Sequence, residues 1–197
     1  MRLAILARHG ESEYSARGRL NGDAAVPCGL TARGREEARR LGEALRGDPL
    51  ELCVTSALQR ARETADEALG GRDVPRLVLP ELNDPLYGPY EGGSIEEYRA
   101  WAAAAPSSAA PEPGGESRLA LVRRYARGFR TVLERPEEHV LVVCHSLPVS
   151  YALEARAGRP PAVRMPLVAH AAPYPFSAGE LESAVAVLER WAAAPTW

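Results

Sequence analysis

The sequence predicts an α/β fold, a three-layer α/β/α sandwich around a mostly parallel sheet. Short apolar runs at 3–7, 51–55, 76–79 and 139–144 read as strands. Amphipathic stretches fall between them, and strand alternating with helix is the signature of βαβ units and parallel pairing. With 197 residues the chain can bury one sizeable core but not two ordinary ones, so residues 1–197 are expected to form a single domain.

Each element follows from its local sequence. The run at 3–7 is apolar throughout and stops at Arg8 and His9, as suits a strand covered on both faces. Residues 11–30 are rich in Gly, Asn, Asp and Pro and read as a long loop, which in a compact domain is commonly functional. Thr31 is placed to cap a helix through about 46, with Ala38, Leu41 and Leu45 at spacings of three and four. After the strand at 51–55, Ser56 opens a helix that closes at Gly70 and Gly71. The strand at 76–79 leads into a Pro-, Gly- and acid-rich loop over 80–93 and a short helix around 95–104.

The low-complexity stretch AAAAPSSAAPEPGG at 102–115 is expected as a flexible surface excursion. A strong amphipathic helix runs from Ser117 to about 134, with Leu121, Val122, Tyr125, Phe129, Val132 and Leu133 on one face. The most hydrophobic strand, 139–144, ends at His145 and Ser146. A helix at 149–157, an outer strand at 165–172 and a closing helix at 180–192 complete the expected order.

The net charge of -2 provides no long-range field to gather nucleic acid or an anionic membrane, so any anion site must be local. All 24 basic residues are arginine. That excludes a P-loop lysine, a Schiff-base lysine and a kinase-type lysine. Cys28, Cys53 and Cys144 show neither metal-ligand spacing nor the even number of a disulfide framework. The apolar opening is too short for a signal-peptide core and no later run approaches a membrane span, so a cytoplasmic location is expected.

In a parallel sheet the ends of the strands share one edge, where ligands bind. Arg8 and His9, Ser56 with Arg60, an acid at Glu81 or Asp84, and His145 all fall there. Two histidines, two arginines and an acid suit a phosphoryl group. Guanidinium donates paired hydrogen bonds to phosphate oxygens. A neutral imidazole can attack phosphorus, and a carboxylic acid can protonate the leaving alkoxide. This scheme requires no metal and no cofactor.

Arg8-His9-Gly10-Glu11-Ser12 resembles the RHG signature of the histidine phosphatase superfamily, the phosphoglycerate mutase-like proteins. The likeness continues in GLTARGREEA (29–38), TSALQRARETA (55–65), YGPYEGGS (87–94), PGGES (113–117) and VVCHS (142–146), in order and over most of residues 1–150. The resemblance implies His9 as phosphorylated nucleophile, with Arg8, Arg60 and His145 completing the phosphate pocket and Gly10 letting the backbone pass close to the phosphate. It also implies a proton donor at Asp84, by register with Gly88, or at Glu81, by match to the preceding strand. Two positions depart from the family pattern: Ser15 stands where many relatives have Asn, and Ser146 where they have Gly. Both are expected to touch substrate.

The leading expectation is a metal-independent phosphatase acting on a small phosphate ester. A phosphoglycerate mutase and a non-catalytic phosphate-binding protein on the same fold are the alternatives, and a homodimer is left open. His170 and His139 read as ordinary satisfied polar residues, and Arg124 as a solvated or ion-paired helix residue.

Overall fold

The computed structural model describes all 197 residues. Five strands, β1 (Leu3–Arg8), β2 (Leu52–Thr55), β3 (Arg76–Val78), β4 (His139–Cys144) and β5 (Pro173–Ser177), form one sheet in the order β3-β2-β4-β1-β5. β1 to β4 pair in parallel, and β5 lies antiparallel along β1.

Alternation along the central strands covers both faces of the sheet. Ala4 and Leu6 of β1, with Val140, Val142 and Cys144 of β4, meet α4 (Arg118–Leu133), α5 (Ser146–Arg156) and α6 (Ala178–Ala193). Ile5, Ala7, Leu141 and Val143 point the other way, onto α1 (Ala32–Ala44) and α2 (Gln59–Leu69). Successive side chains leave a strand on opposite faces, so an unbroken apolar run is required when both faces are covered. Burial of each large aliphatic side chain contributes roughly 1.5–3 kcal/mol. The sixth helix, α3 (Ile95–Ala104), stands off the sheet and packs Tyr98 and Ala102 against Leu20 and Tyr87.

Side-chain caps fix four helix starts, that of α3 through Ser94 Oγ, which accepts from Glu96 N at 3.1 Å. Thr31 Oγ1 accepts from Gly34 N at 3.0 Å, Ser117 Oγ accepts from Ala120 N at 3.1 Å, and Ser177 forms a reciprocal capping box with Glu180.

The outer strand is not at 165–172. It is β5, Pro173–Ser177, with Pro173 and Pro175 opposite Ala7 and Ile5. Two prolines argue against a central strand, but an edge strand needs fewer backbone donors. Residues 165–170 instead run as irregular chain beside the end of β1. α5 begins at Ser146, three residues earlier than expected, because Pro148 lies in its first turn, where the missing N–H has no intrahelical partner. The second helix opens at Gln59 and not at Ser56, whose hydroxyl is engaged by His145. The 102–115 stretch carries its own contacts: Ser107 is buried, its amide and hydroxyl both donate to the Trp197 carbonyl, and its carbonyl accepts from Leu119 N at 2.9 Å.

Candidate active site

Parallel pairing places the ends of β1, β2, β3 and β4 on one edge, and the predicted residues converge there. His9 follows β1 and is buried. Its Nδ1 lies 2.7 Å from the Gly10 carbonyl, an acceptor, so Nδ1 carries the proton and Nε2 the lone pair. Arg60, the second residue of α2 and 3% exposed, donates from Nε to that lone pair at 3.1 Å. Its Nη2 reaches Asp84 Oδ2 at 2.7 Å.

His145, fully buried at the end of β4, stacks edge-on to His9 with ring centroids 5.1 Å apart. Its Nε2 is 2.8 Å from Ser56 Oγ. Its Nδ1 is 3.2 Å from Asp84 Oδ2 but lacks the alignment of a hydrogen bond. Arg8 Nη1 donates to the Val168 carbonyl at 2.9 Å, while its Nε is buried without a partner. Arg8 Nε, a buried donor left unpaired on a residue that lines the cavity, is what an anion-binding pocket offers, whereas His145 stands behind the lining with Nδ1 toward Asp84.

Charge sets the protonation states. Burial, then Arg60, His145 and Arg8, push His9 well below the ordinary imidazole value, against the Gly10 carbonyl, so the ring is neutral at pH 7. Burial brings His145 down to about 4, opposed by Asp84 and aided by Arg60 and Arg8. Burial alone would raise the Asp84 carboxyl, but His145 and the Arg60 guanidinium outweigh it and hold it well below the carboxylate range.

The two candidate acids separate. Asp84 lines the cavity, whereas Glu81 does not. Glu81 lies in the turn Pro80–Leu82, its carbonyl accepting from Arg124 Nη1 at 2.9 Å and its Cβ beside Gly128 of α4. Ser15 and Ser146 line the cavity; Ser15 Oγ donates to Ser12 O at 2.9 Å, and Ser146 Oγ accepts from Val168 N at 3.4 Å. Gly10 does not line it. A Cβ there would stand 2.3 Å from the Gly34 carbonyl, so the constraint is the close approach of α1.

His9, Asp84 and His145 hold donor atoms within 4.8 Å of one another, a set that could ligate a metal in isolation. Arg60 donates to two of the three, which occupies the ligating atoms and makes the local charge suit an anion better than a cation.

Four residues went unrecognised in the sequence. Asn21, deep in the long loop, takes Arg60 Nη1 on Oδ1 at 2.6 Å and Nη2 on its carbonyl at 2.8 Å. Arg124 binds Glu116 through two bonds and gathers the carbonyls of Glu81, Asn83 and Asp84, which sets the acid-bearing loop. His170, expected to be an ordinary polar residue, lines the cavity, with Nδ1 donating to the His9 carbonyl at 2.8 Å. Ala171 beside it adopts φ +47°, a strained value for a residue with a Cβ, and donates its N–H to the Arg8 carbonyl at 2.9 Å. Arg118, the first residue of α4, lines the cavity as well. An acid-poor, arginine-rich stretch at 117–124 was the available signal for Arg118 and Arg124; none marked His170.

The model of the histidine phosphatase superfamily, branch 1, matches residues 4–172. The chain belongs to that superfamily. It is 40% identical over 104 residues to an adenosylcobalamin/alpha-ribazole phosphatase of Salmonella typhimurium, a match covering 49% of this chain and 50% of that protein. It is 37% identical over 161 residues to a 2,3-bisphosphoglycerate-dependent phosphoglycerate mutase of a Methylobacterium strain, covering 73% of this chain and 75% of the mutase. The crystal structure of the alpha-ribazole phosphatase from Shigella flexneri superposes with a TM-score of 0.75 at 27% identity, over 88% of this chain and 89% of that one. The α/β sandwich read from the sequence is thus the fold of this superfamily. No helix is long and apolar enough to cross a membrane.

Proposed function

We propose that the protein is a metal-independent phosphomonoester phosphatase working through a phosphohistidine on His9, with a small phosphorylated metabolite as substrate. The observation that carries this reading is the state of His9: neutral, its proton fixed on Nδ1, and Nε2 facing Arg60. Nε2 attacks phosphorus as the ester P–O bond breaks. Arg8 and Arg60 hold the phosphoryl oxygens, Arg60 turning its Nε from His9 to the incoming anion. His145 gains a proton as the dianion settles beside it and donates from Nδ1 to an equatorial oxygen.

Asp84 is ionised before substrate arrives. The dianion beside it disfavours that charge and raises its pKa, so it binds the proton it then gives to the departing alkoxide. In the second half, water attacks phosphorus as the P–N bond breaks, Asp84 takes the proton from that water, and His9 recovers its lone pair as phosphate leaves.

Trapping tests the reading directly. Alkaline quench of a reaction with a labelled ester should leave label on wild type and none on His9→Ala; equal phosphate release by both proteins would end it. A leaving-group series assigns the acid. Asp84→Asn should slow alkyl esters by roughly 10²- to 10⁴-fold and activated aryl esters far less. Glu81→Gln should slow neither, and the opposite ranking would move the role to Glu81.

The likeness to a mutase supports a second reading, transfer of the phosphoryl group from His9 to another hydroxyl. Rapid release of inorganic phosphate without a bisphosphate primer favours the phosphatase.

A further inference from the structure

Glu91 stands behind the active site. It is half-buried and does not line the cavity, yet its carboxylate ties together the two segments that supply the acceptors of Arg60. Oε2 accepts from Gly22 N at 2.9 Å, and Oε1 accepts from Tyr87 N at 2.9 Å. Gly22 follows Asn21, which takes Arg60 Nη1 on its side chain and Nη2 on its carbonyl. Tyr87 lies three residues after Asp84, which takes Nη2 on its carboxylate. The same segments touch directly, since a Cβ on Gly22 would stand 1.7 Å from the Pro85 carbonyl.

Leu20 pairs with Gly92 and Gly93 through backbone bonds, which anchors the chain before Asn21, and Glu116 N donates to the Leu86 carbonyl, which anchors the chain after Asp84. Between those anchors, the hydrogen bonds that connect residues 21–22 with residues 84–87 run through Arg60 and Glu91 alone. The two bridges are of opposite charge and differ in exposure to substrate. Arg60 lines the cavity, so a bound phosphoryl group competes for its donors. Glu91 is out of substrate's reach, and no arginine shares its oxygens. Its two bonds from main-chain amides are charge-assisted, the stronger kind.

We propose that Glu91 is a positioning residue: its carboxylate fastens the chain beside Asn21 to the chain beyond Asp84, and so holds the Asp84 carboxyl in place for proton transfer while Arg60 is committed to phosphate. This rests on the phosphatase reading, with Asp84 as the acid. Without Glu91 the seam is held by Arg60, and substrate itself loosens that hold. Misplacing a reacting group by about 1 Å can cost about 10²-fold in rate. The loss falls on the step that needs the acid. An alkoxide needs a proton to leave; an activated aryl oxide does not.

Glu91→Gln keeps the length and one acceptor but turns an N–H toward the other amide. Its kcat for an alkyl phosphate should fall at least about 10-fold and its kcat for an activated aryl phosphate no more than about twofold, with KM for each little changed. Unfolded protein turns over neither ester, so the ratio of the two rates does not depend on how much of the variant is folded. In an Asp84→Asn background, where the acid is already absent, Glu91→Gln should cost no more than about a further twofold with either ester. Equal slowing of both esters, or a full loss repeated in the Asp84→Asn background, would overturn the inference and leave the phosphatase reading intact.

Amide hydrogen exchange on the unliganded protein reads the bridge without turnover. The Gly22 and Tyr87 amides should be protected in wild type, and at least one should exchange about 10-fold faster in Glu91→Gln, while the Leu20 amide, bonded to the Gly93 carbonyl, keeps its rate. Unchanged exchange at both amides would overturn the inference whatever the protein hydrolyses. Phosphate release by His9→Ala as fast as by wild type would overturn the phosphatase reading and the role of Glu91 in it, even with the exchange rates as expected.

Discussion

Replacing Arg60 by Met should destabilise the protein by about 3–5 kcal/mol at neutral pH, the cost of removing one member of a buried ion pair. Arg60 is 3% exposed and makes four contacts: His9 Nε2, Asn21 Oδ1, the Asn21 carbonyl and Asp84 Oδ2. Met fills similar space, so the loss is chiefly electrostatic. Asp84, whose side chain is 17% exposed, would keep only His145, a neutral ring, as a near partner.

The pH dependence carries a definite sign. In wild type the folded Asp84 pKa lies below its ordinary 3.8, so its contribution is present above that value and is lost as pH falls through the folded one. Arg60 lowers both the Asp84 and the His145 pKa, so in Arg60→Met both rise and the folded variant takes up a proton before folded wild type does. The variant therefore recovers stability relative to wild type between about pH 7 and about pH 4, and the gap narrows. Urea unfolding of both proteins at about pH 7 and about pH 5 measures it. A gap under about 1 kcal/mol at pH 7, or one that does not shrink on acidification, would refute the ion-pair account.

Three other perturbations probe separate parts of the structure. Gly42→Ala places a Cβ 2.1 Å from the Ala68 carbonyl, where α1 crosses α2. Overpacking of about 1–3 kcal/mol should exceed the helix-propensity gain of about 1 kcal/mol, and a lowered Tm checks it. His170→Ala releases the His9 carbonyl and should lower kcat by up to about 10²-fold with KM little changed; His170→Asn, which restores a donor, should recover most of the loss. Sulfate, a dianion that does not titrate near neutrality, should bind with uptake of protons, because it raises the His145 pKa from about 4. Calorimetry at about pH 6 in two buffers of different ionisation enthalpy reads that uptake, and identical heats would contradict it.

How much of this was legible beforehand depended on how local the cause was. The central strands are written as unbroken apolar runs because both sheet faces are covered, and the helices as stripes beginning at Thr31 and Ser117, where a side-chain oxygen caps the first turn. β5 escaped because its prolines contradict strand propensity, which an edge position beside β1 overrides. Arg8, His9, Arg60 and His145 could be named from sequence because each sits at a fixed offset from a strand end, and parallel topology places those ends on one edge.

Other features depend on segments distant in the chain. Register with Gly88 favours Asp84 and the match to the preceding strand favours Glu81, so the sequence prefers Asp84 without deciding between them. Arg124, some forty residues on, gathers the backbone of their loop so that Asp84 faces Arg60 and His145 while Glu81 turns toward α4. His170 meets His9 only through the return of the chain along β1, and Arg118 is an ordinary helix arginine until the fold leaves it among hydroxyls with no acid in reach. The sequence by itself determined the four parallel strands, their covering helices and the residue types at the strand ends. Tertiary structure decided which charges are paired, because ion pairing and burial are properties of distances that no local pattern encodes.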